Sequence, residues 1–174
     1  MNDRIGPFHL CVAGALAALL GGCVPAEAPI TEPRPAPPFE LPDLASGKLK
    51  LADLKGKVVV LDFWATWCGP CIVEIPQYAK FWKKNKERGV EVVGVVLESG
   101  DPMEIQDFIR EAQIPYRQIL GTEEIALAYG ADQGLPTTFV IDAQGQIRDK
   151  IMGSHAKKFS NLQDKVDELL KEKS

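Results

Sequence analysis

Two cysteines separated by two residues, Cys68 and Cys71, constrain the fold of this chain more than any other feature of its sequence. They follow a continuous apolar run at residues 58–64, interrupted only by Asp62, which is typical of a central strand covered on both faces. They precede residues 76–89, where apolar side chains recur at helical spacing. The pattern predicts a strand, a tight turn and a helix, with the cysteine pair where the helix begins.

That position suits thiol–disulfide exchange. A helix N-terminus offers unpaired backbone N–H groups and a partial positive charge, and both favour a thiolate. We expect Cys68, the more exposed cysteine, to attack a substrate disulfide, and Cys71, one turn into the helix, to resolve the mixed disulfide. Gly69 and Pro70 keep the turn tight, since the φ of proline matches a first helical turn.

A close cysteine pair can also bind metal or form a structural disulfide. A tetrahedral zinc site needs about four ligands, whereas the chain after its leader has no second cysteine pair and only one histidine, His155. A structural disulfide between such close positions would constrain little of the chain. The sequence therefore favours a redox pair and predicts no metal site.

The remaining segments predict an α/β domain with a mixed sheet. Strand signals cover residues 90–97 and 116–120, and helix signals cover residues 103–112 and 123–129. Residues 137–141 and 146–151 then flank a glycine-containing turn, which indicates a hairpin. A last apolar stripe predicts a final amphipathic helix. Alternating strands and helices that end in a hairpin and a helix indicate both parallel and antiparallel strand neighbours.

The N-terminus has the pattern of an export leader. Arg4 and the chain amine precede an apolar stretch at residues 10–20, which is too short to span a bilayer comfortably. It ends in Leu20-Gly21-Gly22-Cys23, which resembles the lipobox of bacterial lipoproteins. This resemblance implies cleavage before Cys23 and lipidation of that cysteine. The alternative is an ordinary secretory leader, with Cys23 as an incidental thiol.

Prolines dominate the next segment, at positions 25, 29, 33, 35, 37 and 38. Because proline fixes φ and removes a hydrogen-bond donor, we expect an extended spacer without a core. The predicted organisation is a signal peptide at residues 1–22, a lipidated cysteine and tether at residues 23–38, and one folded domain at residues 39–174. The formal net charge of −4 argues against a nucleic-acid partner.

Three sequence runs resemble known proteins. The run from Asp62 to Cys71 resembles the active-site segment of thioredoxin-fold proteins, and residues 134–139 resemble the loop that carries the cis-proline of that fold. Residues 71–76 resemble the TlpA/ResA branch, which comprises membrane-anchored thiol reductases linked to cytochrome c maturation. The resemblance spans residues 39–171 and implies a central mixed sheet flanked by helices, with an N-terminal β-hairpin extension and a central insertion.

The resemblance also assigns roles to residues. Pro136 is expected to be cis and to face the dithiol, which leaves the backbone of Leu135 free to pair with a substrate strand. Glu74 lies three residues after Cys71 and therefore shares a helix face with it; the matching glutamate of the branch influences proton transfer at the dithiol. We expect four residues to contact substrate: Trp67, Gly69, Pro70 and Leu135.

Asp62 departs from the ResA pattern, which has no acid at that position. Thioredoxins have a buried carboxylate there that accepts the proton of the resolving thiol, and burial among valines should raise the pKa of Asp62. Gly69 also departs from that pattern, since the branch has an acidic residue between the cysteines. Asp62 and Glu74 can both tune the reduction potential and the proton transfers of the dithiol, so these departures bear on the substrate rather than on the fold.

The resemblance implies a periplasmic-side thiol–disulfide oxidoreductase, anchored through Cys23, that acts as a protein disulfide reductase. Its expected partners are a protein disulfide, such as that of an apocytochrome c, and a membrane thiol electron donor. We expect a monomer whose only redox group is the Cys68–Cys71 disulfide. A peroxiredoxin-like peroxidase and a thioredoxin-like copper chaperone are the alternatives. Peroxiredoxins have a Pro and a Thr ahead of the peroxidatic cysteine, at a spacing that residues 65–68 do not reproduce. The copper chaperones have three residues between their cysteines, whereas this chain has two.

Overall fold

The computed structural model describes residues 32–173, so the leader and Cys23 lie outside the described residues. The strands of this part are β1 (Arg34–Pro35), β2 (Glu40–Pro42), β3 (Lys48–Lys50), β4 (Val58–Trp64), β5 (Val90–Val96), β6 (Arg117–Leu120), β7 (Thr137–Ile141) and β8 (Gln146–Met152). The α-helices are α1 (Gly69–Asn85), α2 (Pro102–Glu111), α3 (Glu123–Tyr129) and α4 (Lys158–Glu172). Between residues 32 and 173 no helix is long and apolar enough to cross a membrane.

The predicted central strand is confirmed. Every residue of β4 is buried. It pairs in parallel with β5 on one side and antiparallel with β7 on the other. The larger sheet has the order β1-β8-β7-β4-β5-β6 and is therefore mixed, as the alternation of segments predicted.

Alternate residues of β4 point into two separate cores, because successive side chains of a strand face opposite sides of the sheet. Val58, Val60 and Trp64 pack in the core that contains apolar side chains of α1, α2 and α4. Val59, Leu61 and Phe63 pack in the other core, which contains side chains of α3 and of the β2–β3 pair. Helices therefore cover both faces of the strand that leads to the dithiol.

The predicted N-terminal hairpin extension and central insertion are present. Strands β2 and β3 form a separate antiparallel sheet. The segment between β5 and β7 contains α2, β6 and α3, and β6 extends the main sheet by pairing in parallel with β5. The predicted start of the first helix at the cysteine pair is confirmed, since α1 begins at Gly69, directly after Cys68, and includes Pro76.

The folded part begins earlier than the proline pattern predicted. Arg34 and Pro35 form β1, which pairs antiparallel with β8. The backbone N–H of Ala36 donates to the carbonyl oxygen of Gly145 at 2.9 Å, and the Tyr129 hydroxyl donates to that of Pro37 at 2.8 Å. The expected boundary at Phe39 is therefore too late, because prolines are compatible with an edge strand that leaves few N–H donors to satisfy.

Candidate active site

Cys68 and Cys71 lie where β4 ends and α1 begins. They form a disulfide, and their Cα atoms are 5.3 Å apart. Cys68 is the N-cap residue of α1, and its sulfur accepts a hydrogen bond from the backbone N–H of Cys71 at 3.3 Å. Gly69 and Pro70 occupy the first helical positions, where the missing N–H of proline costs nothing. This geometry places the Cys68 sulfur against the positive end of the helix.

A groove opens beside Cys68. It has a volume of about 930 Å³, and Cys68 is among its lining residues whereas Cys71 is not. Both cysteines are largely buried, with exposed fractions of 6% and 3%. A partner that enters the groove therefore meets the sulfur of Cys68 first, and Cys71 is shielded behind it.

The residues expected to contact substrate lie together on this groove: Trp67, Gly69, Pro70 and Leu135. Trp67 is 63% exposed. Its indole Nε1–H donates to the carbonyl oxygen of Glu98 at 2.8 Å. The Leu135–Pro136 peptide bond is cis. Pro136 is buried directly before β7, and Thr137 there pairs with Phe63 of β4.

Asp62 is buried on the face of β4 that packs against α1. Its Oδ1 accepts hydrogen bonds at 2.8 Å from the hydroxyls of Tyr78 and Thr138. These two hydroxyls are also 2.7 Å apart. Burial raises the pKa of Asp62 to about 6, although Lys158 and the two hydrogen bonds act in the opposite direction. The same burial, together with the nearby Asp62 charge, raises the pKa of Tyr78 well above its ordinary value.

Glu74 is inside the protein and has a partner that the sequence did not reveal. Its carboxylate accepts a hydrogen bond at 2.6 Å from the ammonium of Lys158, and both side chains are almost completely buried. The ammonium also lies 5.4 Å from the centre of the Tyr78 ring, a cation–π distance. Asp62, Glu74, Tyr78 and Lys158 thus form one buried polar cluster under the first turns of α1.

Tyr78, Thr138 and Lys158 are the site residues that sequence reasoning missed. One signal for Lys158 was available, because it lies four residues before Leu162 and therefore on the apolar stripe of α4. A lysine at such a position must find a buried partner. Which carboxylate it meets depends on how α4 packs against α1, and periodicity carries no information on that.

Chemically, the arrangement can exchange a disulfide in two steps. Cys68 lines the groove at the N-terminus of α1, a position that favours thiolates in general, and Cys71 is bonded to it from outside the groove lining. A buried carboxyl with a pKa of about 6 can hold or release a proton near neutral pH. Within residues 32–173, no group of three or more His, Cys, Asp or Glu side chains is placed to hold a metal ion.

Comparisons with known proteins agree with this chemistry. The profile of the AhpC/TSA family matches residues 33–150. Thiol-disulfide oxidoreductase ResA of Bacillus thuringiensis (strain Al Hakam) is 36% identical over 123 residues, which is 70% of each chain. ResA of Bacillus subtilis (strain 168) is 35% identical over 125 residues, 72% of this chain and 69% of that protein.

Solved structures give the same result. A thiol:disulfide interchange protein of the thioredoxin family from Chlorobium tepidum TLS is 30% identical, with a TM-score of 0.70 over 83% of this chain and 99% of that chain. A DsbF homologue from Corynebacterium diphtheriae is 27% identical, with a TM-score of 0.72 over 79% of this chain and 88% of that one. The chain therefore belongs to the AhpC/TSA family of thioredoxin-fold proteins, as a thiol–disulfide oxidoreductase similar to ResA.

Proposed function

We propose that this oxidoreductase is a reductase of protein disulfides, with the haem-attachment cysteines of an apocytochrome c as its substrate class. It is held on the periplasmic side of a membrane through lipidated Cys23. The observation that supports the proposal is the position of Cys68 in the wall of a groove that Cys71 does not line. A groove of about 930 Å³ is large enough for several residues of an extended polypeptide.

In the proposed reaction, the Cys68 thiolate attacks one sulfur of the substrate disulfide and releases the other sulfur as a thiolate. Cys71 then loses its proton and attacks the Cys68 sulfur, which forms the Cys68–Cys71 disulfide and releases the second substrate thiolate. The substrate gains two electrons and the protein loses two. A membrane thiol donor then returns the protein to its dithiol form.

The buried acids are assigned to the second step. Asp62 accepts the proton of Cys71, because a carboxyl with a pKa of about 6 is matched to transfer near neutral pH. Glu74, three residues after Cys71 on α1 and paired with Lys158, is assigned an influence on proton transfer at the dithiol. Leu135 pairs its backbone with the substrate segment.

Trapping tests the order of attack. We expect Cys71→Ser to accumulate mixed disulfides between Cys68 and protein partners, because the resolving thiol is absent. Cys68→Ser is the matched control and should accumulate none. Non-reducing gels of the two variants measure this directly, and the opposite pattern would reverse the assigned roles.

The anchor is tested separately. Cys23→Ser should move the protein from the membrane fraction to the soluble fraction without changing its rate of insulin reduction, because lipidation is proposed only as a tether. Protein that stays with the membrane after this substitution would contradict the anchor and leave the reductase chemistry intact.

The reaction type is tested with two oxidants. The reduced protein should be oxidised faster by a peptide disulfide than by an equal concentration of hydrogen peroxide. The reverse order would favour the peroxidase alternative.

A further inference from the structure

The groove beside Cys68 combines small buried side chains with large exposed ones. Ala126 and Ala131 are buried where they line it. Trp67 and Leu127 are 63% and 56% exposed, and they line the same groove. Large apolar side chains that stay in contact with water next to a reactive sulfur mark a surface that a partner covers.

Every charged side chain on this groove is acidic. Glu98, Glu123 and Asp132 line it, and no Lys, Arg or His is among the lining residues. All three acids are exposed, and none of them forms an ion pair with any residue between 32 and 173. Three like charges with no cationic side chain among the lining residues give the groove a negative potential.

The three acids come from separate segments that the fold brings to one place. Glu98 follows β5, and its carbonyl oxygen accepts the indole N–H of Trp67 at 2.8 Å. The neighbouring Ser99 hydroxyl accepts the backbone N–H of Thr66 at 2.9 Å, so this loop is joined to the turn before the dithiol. The loop that carries Glu98 is therefore joined by two hydrogen bonds to the turn that precedes Cys68.

The other two acids come from α3 and from the loop that follows it. Glu123 is in the first turn of α3, and Leu127 lies one turn later on the same helix face. Asp132 follows α3 in the loop that leads to the cis-proline. An occupant of the groove thus meets an apolar contact and an acidic contact from α3 together.

We propose that this groove selects polypeptide disulfides in which the attacked cysteine has an apolar neighbour and is flanked by lysine or arginine residues. The inference rests on the proposed function, since it names a class of protein disulfide for the same dithiol. Complementary charge accelerates the encounter and weakens with ionic strength. The same acids repel acidic segments and so discriminate against them.

The test compares two disulfide-bonded peptides that differ only at the flanking positions, which are lysine in one and glutamate in the other. Reduced full-length protein is mixed with each peptide, and alkylation after quenching measures the second-order rate of dithiol oxidation. We expect the lysine peptide to react about tenfold faster at low ionic strength, and the preference to fall to about twofold or less near 0.5 M salt. No preference, or a preference for the glutamate peptide, would overturn the proposal.

Two variants with the same change in net charge show where the preference arises. The groove variant carries Glu98→Gln, Glu123→Gln and Asp132→Asn, and it should lose most of the preference for the lysine peptide. The control variant carries Glu87→Gln, Glu111→Gln and Asp164→Asn at exposed acids outside the groove, and it should keep that preference. Equal loss in both variants would overturn the proposal, because overall charge would then explain the preference.

A neutral small disulfide, 2-hydroxyethyl disulfide, separates this inference from the proposed function. If it oxidises the dithiol while both peptides fail to react, the proposed reduction of protein disulfides is wrong. If all three react and the peptides do so at equal rates, the reductase proposal stands and only the charge selection is wrong.

Discussion

Asp62 places a carboxyl group in the middle of an apolar strand, where its charged form is poorly solvated. The hydroxyls of Tyr78 and Thr138 are its hydrogen-bond donors, and these two bonds do not fully replace the lost hydration. The pKa therefore rises from an ordinary value of 3.8 to about 6. A carboxyl in this range costs stability at neutral pH, which is a reason to connect it with proton transfer rather than with packing.

This shift makes a prediction for stability against pH. Between pH 4 and pH 6 the folded protein holds a proton on Asp62 that the unfolded chain has released, so the free energy of unfolding falls as the pH rises through this window. Asp62→Asn removes the effect and keeps an oxygen acceptor for both hydroxyls. We expect the variant to be more stable than the wild type by about 1 to 3 kcal/mol at pH 7 and by close to nothing below pH 4.

Urea unfolding at a series of pH values measures this difference. Asp164→Asn, at an exposed acid, is the matched control. Its stability relative to the wild type should not change between pH 4 and pH 6. A gain from Asp62→Asn that is the same at pH 4 and pH 7 would mean that the pKa of Asp62 is not raised.

At the scale of elements, α4 contributes more than an apolar face to the site. It begins at Lys158, whose ammonium reaches Glu74 of α1 at 2.6 Å in a location closed to water. Isolated charges at such a location are costly, and each of the two is tolerated because the other is present. The ion pair therefore makes the contact between α1 and α4 specific, next to the helix that carries the dithiol.

Single and double substitutions test this pairing. Glu74→Gln and Lys158→Met should each destabilise the fold by about 3 to 5 kcal/mol, because each leaves one buried charge without its partner. The double variant should be clearly more stable than the sum of the single effects predicts, since neither member of the ion pair is left without its partner. Chemical denaturation of the four proteins gives the coupling energy.

The lysine variant also makes a prediction for Asp62. Lys158 is the largest influence that lowers the pKa of Asp62, so Lys158→Met should raise that pKa above about 6. Infrared or NMR titration of the carboxyl measures it. An unchanged Asp62 titration together with strictly additive stabilities would show that Lys158 is not coupled to the buried acids.

At the scale of the whole molecule, the N-terminal part of the described chain pairs with a strand near its C-terminal end. Strand β1 covers the edge of the sheet at β8, and Ala36 is buried against the core on the α3 side. Covered sheet edges are less prone to pair with other chains. From residue 34 onwards, the chain therefore runs along the edge of the sheet before it reaches β4.

A protein that begins at Phe39 should be folded but less stable than one that begins at Glu32. It loses the β1–β8 pairing and the hydrogen bonds of Ala36 and Pro37, so we expect a loss of about 1 to 3 kcal/mol and a Tm lower by several degrees. Insulin reduction at 25 °C should be similar in both, because none of these contacts touches the dithiol. Equal Tm values would mean that the segment only spaces the domain from its anchor.

The sequence by itself determined the strand, turn and helix around Cys68 and Cys71, the mixed sheet and the redox chemistry. These features depend on short-range order: an apolar run, a Gly-Pro turn and helical spacing within a few residues. The position of Asp62 on its strand also indicated burial, and burial alone explains the direction of its pKa shift.

Only the tertiary structure decided which groups meet. Glu74 and Lys158 are 84 positions apart, Tyr129 and Pro37 are 92 apart, and the three acids of the groove come from three segments. Periodicity shows which face of a helix or strand is buried, but not which element packs opposite that face. Electrostatic pairing acts through space between neighbours that the packing selects, so the partner of a buried charge is a property of the assembled fold.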